Sequence, residues 1–84
     1  MCNFKPGDGI GGIETTEPRM SPEKCINHCI KQRKTNPNIN GVTVDTGGYN
    51  HCYCEHNMKS WKTMSGFKSC KLPSRKLQLF LLIY

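Results

Sequence analysis

The chain lacks the features that mark most functional classes. No apolar run approaches the roughly 20 residues that a membrane-spanning helix needs, and the opening Met1-Cys2-Asn3-Phe4-Lys5-Pro6-Gly7 has no apolar stretch of the secretory-signal type. Neither G-x-S-x-G nor H-E-x-x-H occurs, so the nucleophile-elbow hydrolases and the zincin metalloproteases have no sequence support. The six acids, Asp8, Glu14, Glu17, Glu23, Asp45 and Glu55, are scattered without a recognisable acid–base pair. No enzyme is expected. Internal repeats are absent, and only 36% of the 84 residues are apolar. A chain of this length buries only about two-thirds of its unfolded surface, so one small domain is expected, and such domains need a staple.

Acids are also missing from the carboxy-terminal third. Residues 1–55 balance six cations against six acids, whereas residues 56–84 hold Lys59, Lys62, Lys68, Lys71, Arg75 and Lys76 and no acid, which accounts for the net charge of +6. Uncompensated cations attract anionic polysaccharide, lipid or nucleic acid, and they also serve simply as a solvated face. Nucleic acid is the least supported of these partners, since no recognised binding motif accompanies the charge.

The staple is present as six cysteines, about 7% of the chain and close to the level of disulfide scaffolds. Residues 1–20 read as loop, broken by Pro6, Pro18 and four glycines. Gly7-Asp8-Gly9-Ile10-Gly11-Gly12 fits G-x-G-x-x-G formally, but no strand precedes it and no helix opens before Ser21, so it reads as a turn. Ser21-Pro22-Glu23 then supplies a hydroxyl cap, a proline at the first helical position and an acid in the first turn. Cys25, Ile26, Cys29 and Ile30 form an apolar stripe, Lys31, Arg33 and Lys34 suit a helix carboxy terminus, and Asn36-Pro37 stops it. A helix over about 22–34 follows. Gly41–Asp45 and Tyr49–Glu55, joined by Thr46-Gly47-Gly48, read as a hairpin over about 41–55. Alternation places Asn50, Cys52 and Cys54 on one face and Tyr49, His51, Tyr53 and Glu55 on the other.

The spacing of the cysteines is the most specific signal. Cys25 and Cys29 share a helix face about 6 Å apart, and Cys52 and Cys54 share a strand face about 6.6 Å apart. A helix laid along the strand closes both pairs side by side across Cα separations of about 5.5–6 Å. A strand running parallel to the helix prefers Cys25–Cys52 with Cys29–Cys54 over the crossed pairing, a choice that sequence leaves open. Cys2 and Cys70 remain to tie the ends of the domain. Zinc is the rival for Cys25, Cys29, Cys52 and Cys54, but C-x-C is tighter than usual ligand spacing and two cysteines would go unused. No cofactor or metal is therefore expected. His28 reads as a surface helix residue, and His51 and His56 as solvent-facing neighbours of the strand.

Met20-Ser21-Pro22-Glu23-Lys24-Cys25, Cys29, Asn40-Gly41-Val42 and Cys52-Tyr53-Cys54 together resemble the centre of WSC domains, which show a T/S-x-E-x-C-x-x-x-C helix, a Gly-aliphatic strand and a C-Y-C strand. The broader PAN/apple-like group of extracellular modules is similar too. The resemblance covers about residues 20–56. WSC domains follow C-Y-C with glycine where this chain has Glu55, and their later paired cysteines and C-G-G are missing here. The resemblance implies a non-catalytic extracellular or cell-surface module for carbohydrate or protein, and it transfers no binding residue. The C-x-x-x-C and C-x-C spacing also resembles the cysteine-stabilised αβ scaffold of defensins and scorpion toxins. That scaffold carries a further cysteine in the first hairpin strand, where this chain has Val42, Thr43 and Val44.

The expected architecture is a small disulfide-rich α+β domain over residues 1–71, one helix on a small antiparallel sheet, followed by a linker and apolar tail over 72–84. The expected function is an extracellular binding module for a glycan, an anionic polysaccharide or an extracellular protein. The alternatives are a secreted cationic defensin- or toxin-like peptide and an intracellular zinc module. Exposed aromatics beside cations nominate Tyr49, Tyr53, Lys59, Trp61, Lys62 and Lys68 as the contacts. The tail, with seven apolar residues in Leu77–Tyr84, is the one part suited to membrane contact. Its abrupt end and the missing signal suggest a piece of a longer secreted or cell-surface chain.

Overall fold

The computed structural model describes residues 2–73. Its only helix among these residues, α1 (Pro22–Gln32), starts where the capping residues dictate, with the Ser21 hydroxyl accepting the Lys24 N–H at 3.4 Å. It ends two residues before the expected boundary because Arg33 turns inward. The Arg33 guanidinium is buried and donates to the Ile39 and Pro73 carbonyls, each at 2.9 Å. It ties the helix end to the strand that follows and to the last described residue, so it is no solvated dipole partner.

Among the described residues seven strands accompany the helix: β1 (Lys5–Pro6), β2 (Asp8–Ile10), β3 (Ile13–Glu17), β4 (Ile39–Asp45), β5 (Cys52–His56), β6 (Ser60–Lys62) and β7 (Phe67–Lys71). Five form an antiparallel sheet in the order β1-β7-β4-β5-β3, and β2 and β6 make a separate ribbon. The expected hairpin is present as β4–β5, with Val42 opposite Cys54 and Val44 opposite Cys52. The expected loop over residues 1–20 is corrected: it holds three strands. The supposed glycine turn contains β2, and the chain bends at Gly7 before it and at Gly11-Gly12 after it.

The sheet has two covered faces. On one, α1 seats Cys25 and Cys29 against Cys52 and Cys54, and the core collects Ile39, Val42, Val44, Cys70 and Leu72 around the bridges. The disulfides are Cys25–Cys52, Cys29–Cys54 and Cys2–Cys70, with Cα separations of 5.6, 5.5 and 5.5 Å. The fold is the small disulfide-rich α+β arrangement that the cysteine spacing implies. Leu72, placed in the linker on sequence, is buried in this core, and its N–H donates to the Asn40 carbonyl at 2.9 Å. The rest of the expected tail, residues 74–84, lies outside the described residues.

The β2–β6 ribbon lies on the other face. Gly9 allows this close approach, since a methyl group there would sit 2.5 Å from Met58 Sδ and 2.7 Å from Glu55 Cδ. Asn40, at an irregularity in β4, anchors the chain entering the ribbon. Its side chain donates to the Met58 carbonyl at 2.8 Å and accepts the Met58 N–H at 2.7 Å.

Candidate functional site

Alternation along β5 turns Tyr53 and Glu55 away from the disulfide core. The pairings Tyr53–Thr43–Ser69 and Asp45–Phe67 carry that outer face across β4 to β7. At one end it bears a row of rings. Tyr49 stacks on His51 with centroids 6.0 Å apart, His51 meets Tyr53 at 6.3 Å, and Tyr53 meets the edge of Phe67 at 6.4 Å. Tyr49 is 65% exposed, and the other three rings are half-buried.

Asp45 sets the loop that presents these rings. Its carboxylate accepts the N–H groups of Gly47 at 3.1 Å, Tyr49 at 2.9 Å and His51 at 2.6 Å. Burial disfavours the Asp45 charge, but the bonds from Tyr49, His51 and Gly47 outweigh it and hold the carboxyl below its ordinary range. The loop is secured from below as well: Asn50 sits at φ 59°, and its carbonyl accepts the Met20 N–H at 2.9 Å. The row of rings is therefore preset.

Of the six nominated contacts, Tyr49 and Tyr53 lie in this row. Lys59, Trp61 and Lys62 are exposed along the ribbon. Trp61 lines a shallow recess with Asn3, Lys5, Cys70 and Lys71, so Lys5 and Lys71 are cations beside that ring. Nothing local in the sequence marks them, because the pairings of β1 and β4 with β7 bring them there. Lys68 belongs to neither surface: it lies on the helix side with its ammonium 4.8 Å over the Phe4 ring. His51 was legible from its alternation with Tyr49 and Tyr53, whereas Phe67 enters only through tertiary pairing.

Two histidine expectations are corrected. His56 is buried, 3.0 Å from the Thr15 hydroxyl, rather than solvent-facing. His28 is half-buried and bonded to Glu17 at 2.7 Å across from β3. Neither contributes to the row of rings.

A second cluster lies under the ribbon. Oxygens of Asp8, Glu14 and Glu55 approach within 4.8 Å of one another. Glu55 is 3% exposed, and burial, with Glu14 and Asp8 beside it, pushes its carboxyl up to about 8 against the lowering effect of Thr43. Burial also raises the Glu14 carboxyl, with Asp8 adding to the rise. One oxygen from each of the three carboxylates converges at that spacing, against the six to eight oxygens that calcium takes. Cys25, Cys29 and Cys52 also cluster, but all six sulfurs are bridged and a bridged sulfur is no thiolate ligand.

Compared with known proteins, the chain matches no family model, no curated protein and no solved structure.

Proposed function

We propose that the chain is a non-catalytic extracellular binding module that takes a carbohydrate across the row formed by Tyr49, His51, Tyr53 and Phe67. The observation that carries this reading is the Asp45 anchor. It holds three backbone N–H groups and so presents the rings without an ordering cost at binding. Ring faces stack on the apolar faces of sugars, and His51 and the tyrosine hydroxyls supply polar partners at their rims. Three disulfides are consistent with an oxidising, extracellular setting. The resemblance of residues 20–56 to WSC and PAN/apple-like modules supports the same reading.

The Trp61 recess, with Lys5 and Lys71, favours ligands that carry sulfate or carboxylate beside the sugar. A glycan array with the oxidised protein, followed by heparin retention at graded salt, tests both surfaces. Tyr49→Ala and Tyr53→Ala are each expected to weaken glycan binding about tenfold, equivalent to ~1.4 kcal/mol. Lys5→Gln with Lys71→Gln is expected to remove salt-sensitive retention and leave neutral glycan binding intact. Array signals that survive both tyrosine substitutions would reject the row of rings as the site. Leakage of anionic vesicles at micromolar protein, with no glycan bound, would favour the defensin- or toxin-like alternative.

A further inference from the structure

Glu55 reaches from β5 into a chain of short oxygen contacts that the binding surface does not use. Thr43 Oγ1 lies 2.6 Å from Glu55 Oε2 and 2.7 Å from Ser69 Oγ, and Ser69 Oγ lies 2.8 Å from the Gly7 carbonyl. These are three hydrogen bonds in series, and each needs one hydrogen. A carbonyl carries none to give, and the two hydroxyls supply only two. With an ionised Glu55, Thr43 donates to the carboxylate, and the single Ser69 hydrogen has both Thr43 and the Gly7 carbonyl to serve. One of the two Ser69 contacts, 2.7 Å to Thr43 or 2.8 Å to Gly7, then lacks a hydrogen. A hydrogen on Glu55 completes the series, running from Glu55 to Thr43, to Ser69, to Gly7.

We propose that Glu55 holds a proton at neutral pH and that this proton latches the β2–β6 ribbon onto the sheet. The series begins in β5, crosses β4 and β7, and ends on Gly7, the residue immediately before β2. The Gly9 N–H adds a longer bond, 3.4 Å, to the same Thr43 oxygen.

The surroundings favour the neutral carboxyl. Asp8 on β2 and Glu14 on β3 face it as further acids, and Asp8 Oδ1 is buried without a partner. β4 presents Thr43 and, towards the row of rings, Asp45, whose carboxylate is occupied by loop N–H groups. β7 presents Ser69 and the exposed Lys71, β1 the exposed Lys5, and β6 the exposed Lys62 opposite Asp8. Tyr53 precedes it on β5's own outer face, and Met58 closes the space beside Gly9. Among the described residues no ion pair reaches Glu55. Loss of the proton to water leaves one hydrogen too few for the series and adds a charge beside two acids. The Ser69 hydrogen is then divided between Thr43 and Gly7, and the new charge faces Asp8 on β2, so the hold on the ribbon weakens.

Trp61 lies in the ribbon opposite Gly9 and is the only tryptophan, so its emission reports on the latch. The side-chain carboxyl of Glu55, followed by carbon-13 NMR, is expected to titrate with a midpoint between pH 7 and 9. Trp61 emission should shift with the same midpoint while the helical circular dichroism stays constant. Glu55→Gln supplies the missing hydrogen from its amide at every pH, and it should abolish the emission shift. A Glu55 midpoint below pH 6 would overturn the proposal on the unmodified chain, whether or not the variant folds. So would an emission shift that persists in Glu55→Gln, or calcium binding that moves the Glu55 signal at neutral pH.

Discussion

At the residue scale, one cation acts from inside the protein. Arg33 looks like one of three cations at a helix end, yet it alone turns inward and donates to two carbonyls, those of Ile39 and Pro73. Replacing it with methionine keeps much of the apolar stem and leaves those acceptors without it. The expected loss is about 2–4 kcal/mol, since each buried unsatisfied acceptor costs ~1–3 kcal/mol. Urea unfolding of the oxidised protein measures it, and Lys34→Met, at an exposed position, is the control that should lie within ~0.5 kcal/mol of the parent. Leu72 offers a comparable test at the boundary of the expected linker. It is 7% exposed and packs on the disulfide core. Leu72→Ala is expected to cost about 2–4 kcal/mol, whereas a linker residue would lose almost nothing.

At the scale of elements, what could be read from the sequence followed the covalent constraints. The i, i+4 cysteines on a capped helix and the i, i+2 cysteines on a strand have matching pitch, and that match alone points to α1 lying along β5. The glycine-linked runs on either side of Thr46 gave the β4–β5 hairpin. β2, β3 and β6 were not legible, because they are short and poor in apolar residues, and each is a strand only by virtue of a distant partner. Thr15 and Thr16 pair with Cys54 and Tyr53, and Gly9 pairs with Trp61. The site divides the same way. Tyr49, His51 and Tyr53 share a face by local alternation, while Lys5, Lys71 and Phe67 arrive through β1–β7 and β4–β7 pairing. Glu55 passed for an outward residue because period-two alternation reports the face and not what covers it. The Cys2–Cys70 bridge joins the segment before β1 to β7 across a sequence separation of 68 residues. In the chain-entropy model a loop of that size contributes roughly 4 kcal/mol. Replacing both cysteines with serine is expected to lower stability by up to about that amount while leaving the two helix bridges formed. Peptide mapping of the variant should still recover Cys25–Cys52 and Cys29–Cys54.

At the scale of the whole molecule, three perturbed carboxyls set the opposite limbs of a pH profile. The Glu55 carboxyl stands near 8 in the folded protein against an ordinary value of 4.5, so between those values the folded chain keeps a proton that the unfolded chain has lost. Its contribution is complete below about pH 4.5, declines as pH rises through the window, and is gone above about 8, with a slope of at most ~1.4 kcal/mol per pH unit. Glu14, also raised, reinforces the low end of that decline. Asp45 works the other way: its folded carboxyl lies below the ordinary 3.8, so its contribution is present above that value and is lost as pH falls through the folded one. Stability should therefore peak near pH 4–5, far from the isoelectric point of about 9.2. Urea midpoints from pH 2.5 to 9.5, taken without reductant so that the bridges stay closed, read this profile directly. Glu55→Gln should flatten the alkaline limb and exceed the parent in stability at pH 8.5. Asp45→Asn should flatten the acid limb and also weaken glycan binding, because the loop carrying Tyr49 and His51 loses a charged anchor. A parent protein equally stable at pH 5 and pH 8 would show that Glu55 ionises freely in the fold, and the hydrogen count across Thr43 and Ser69 would then need another donor.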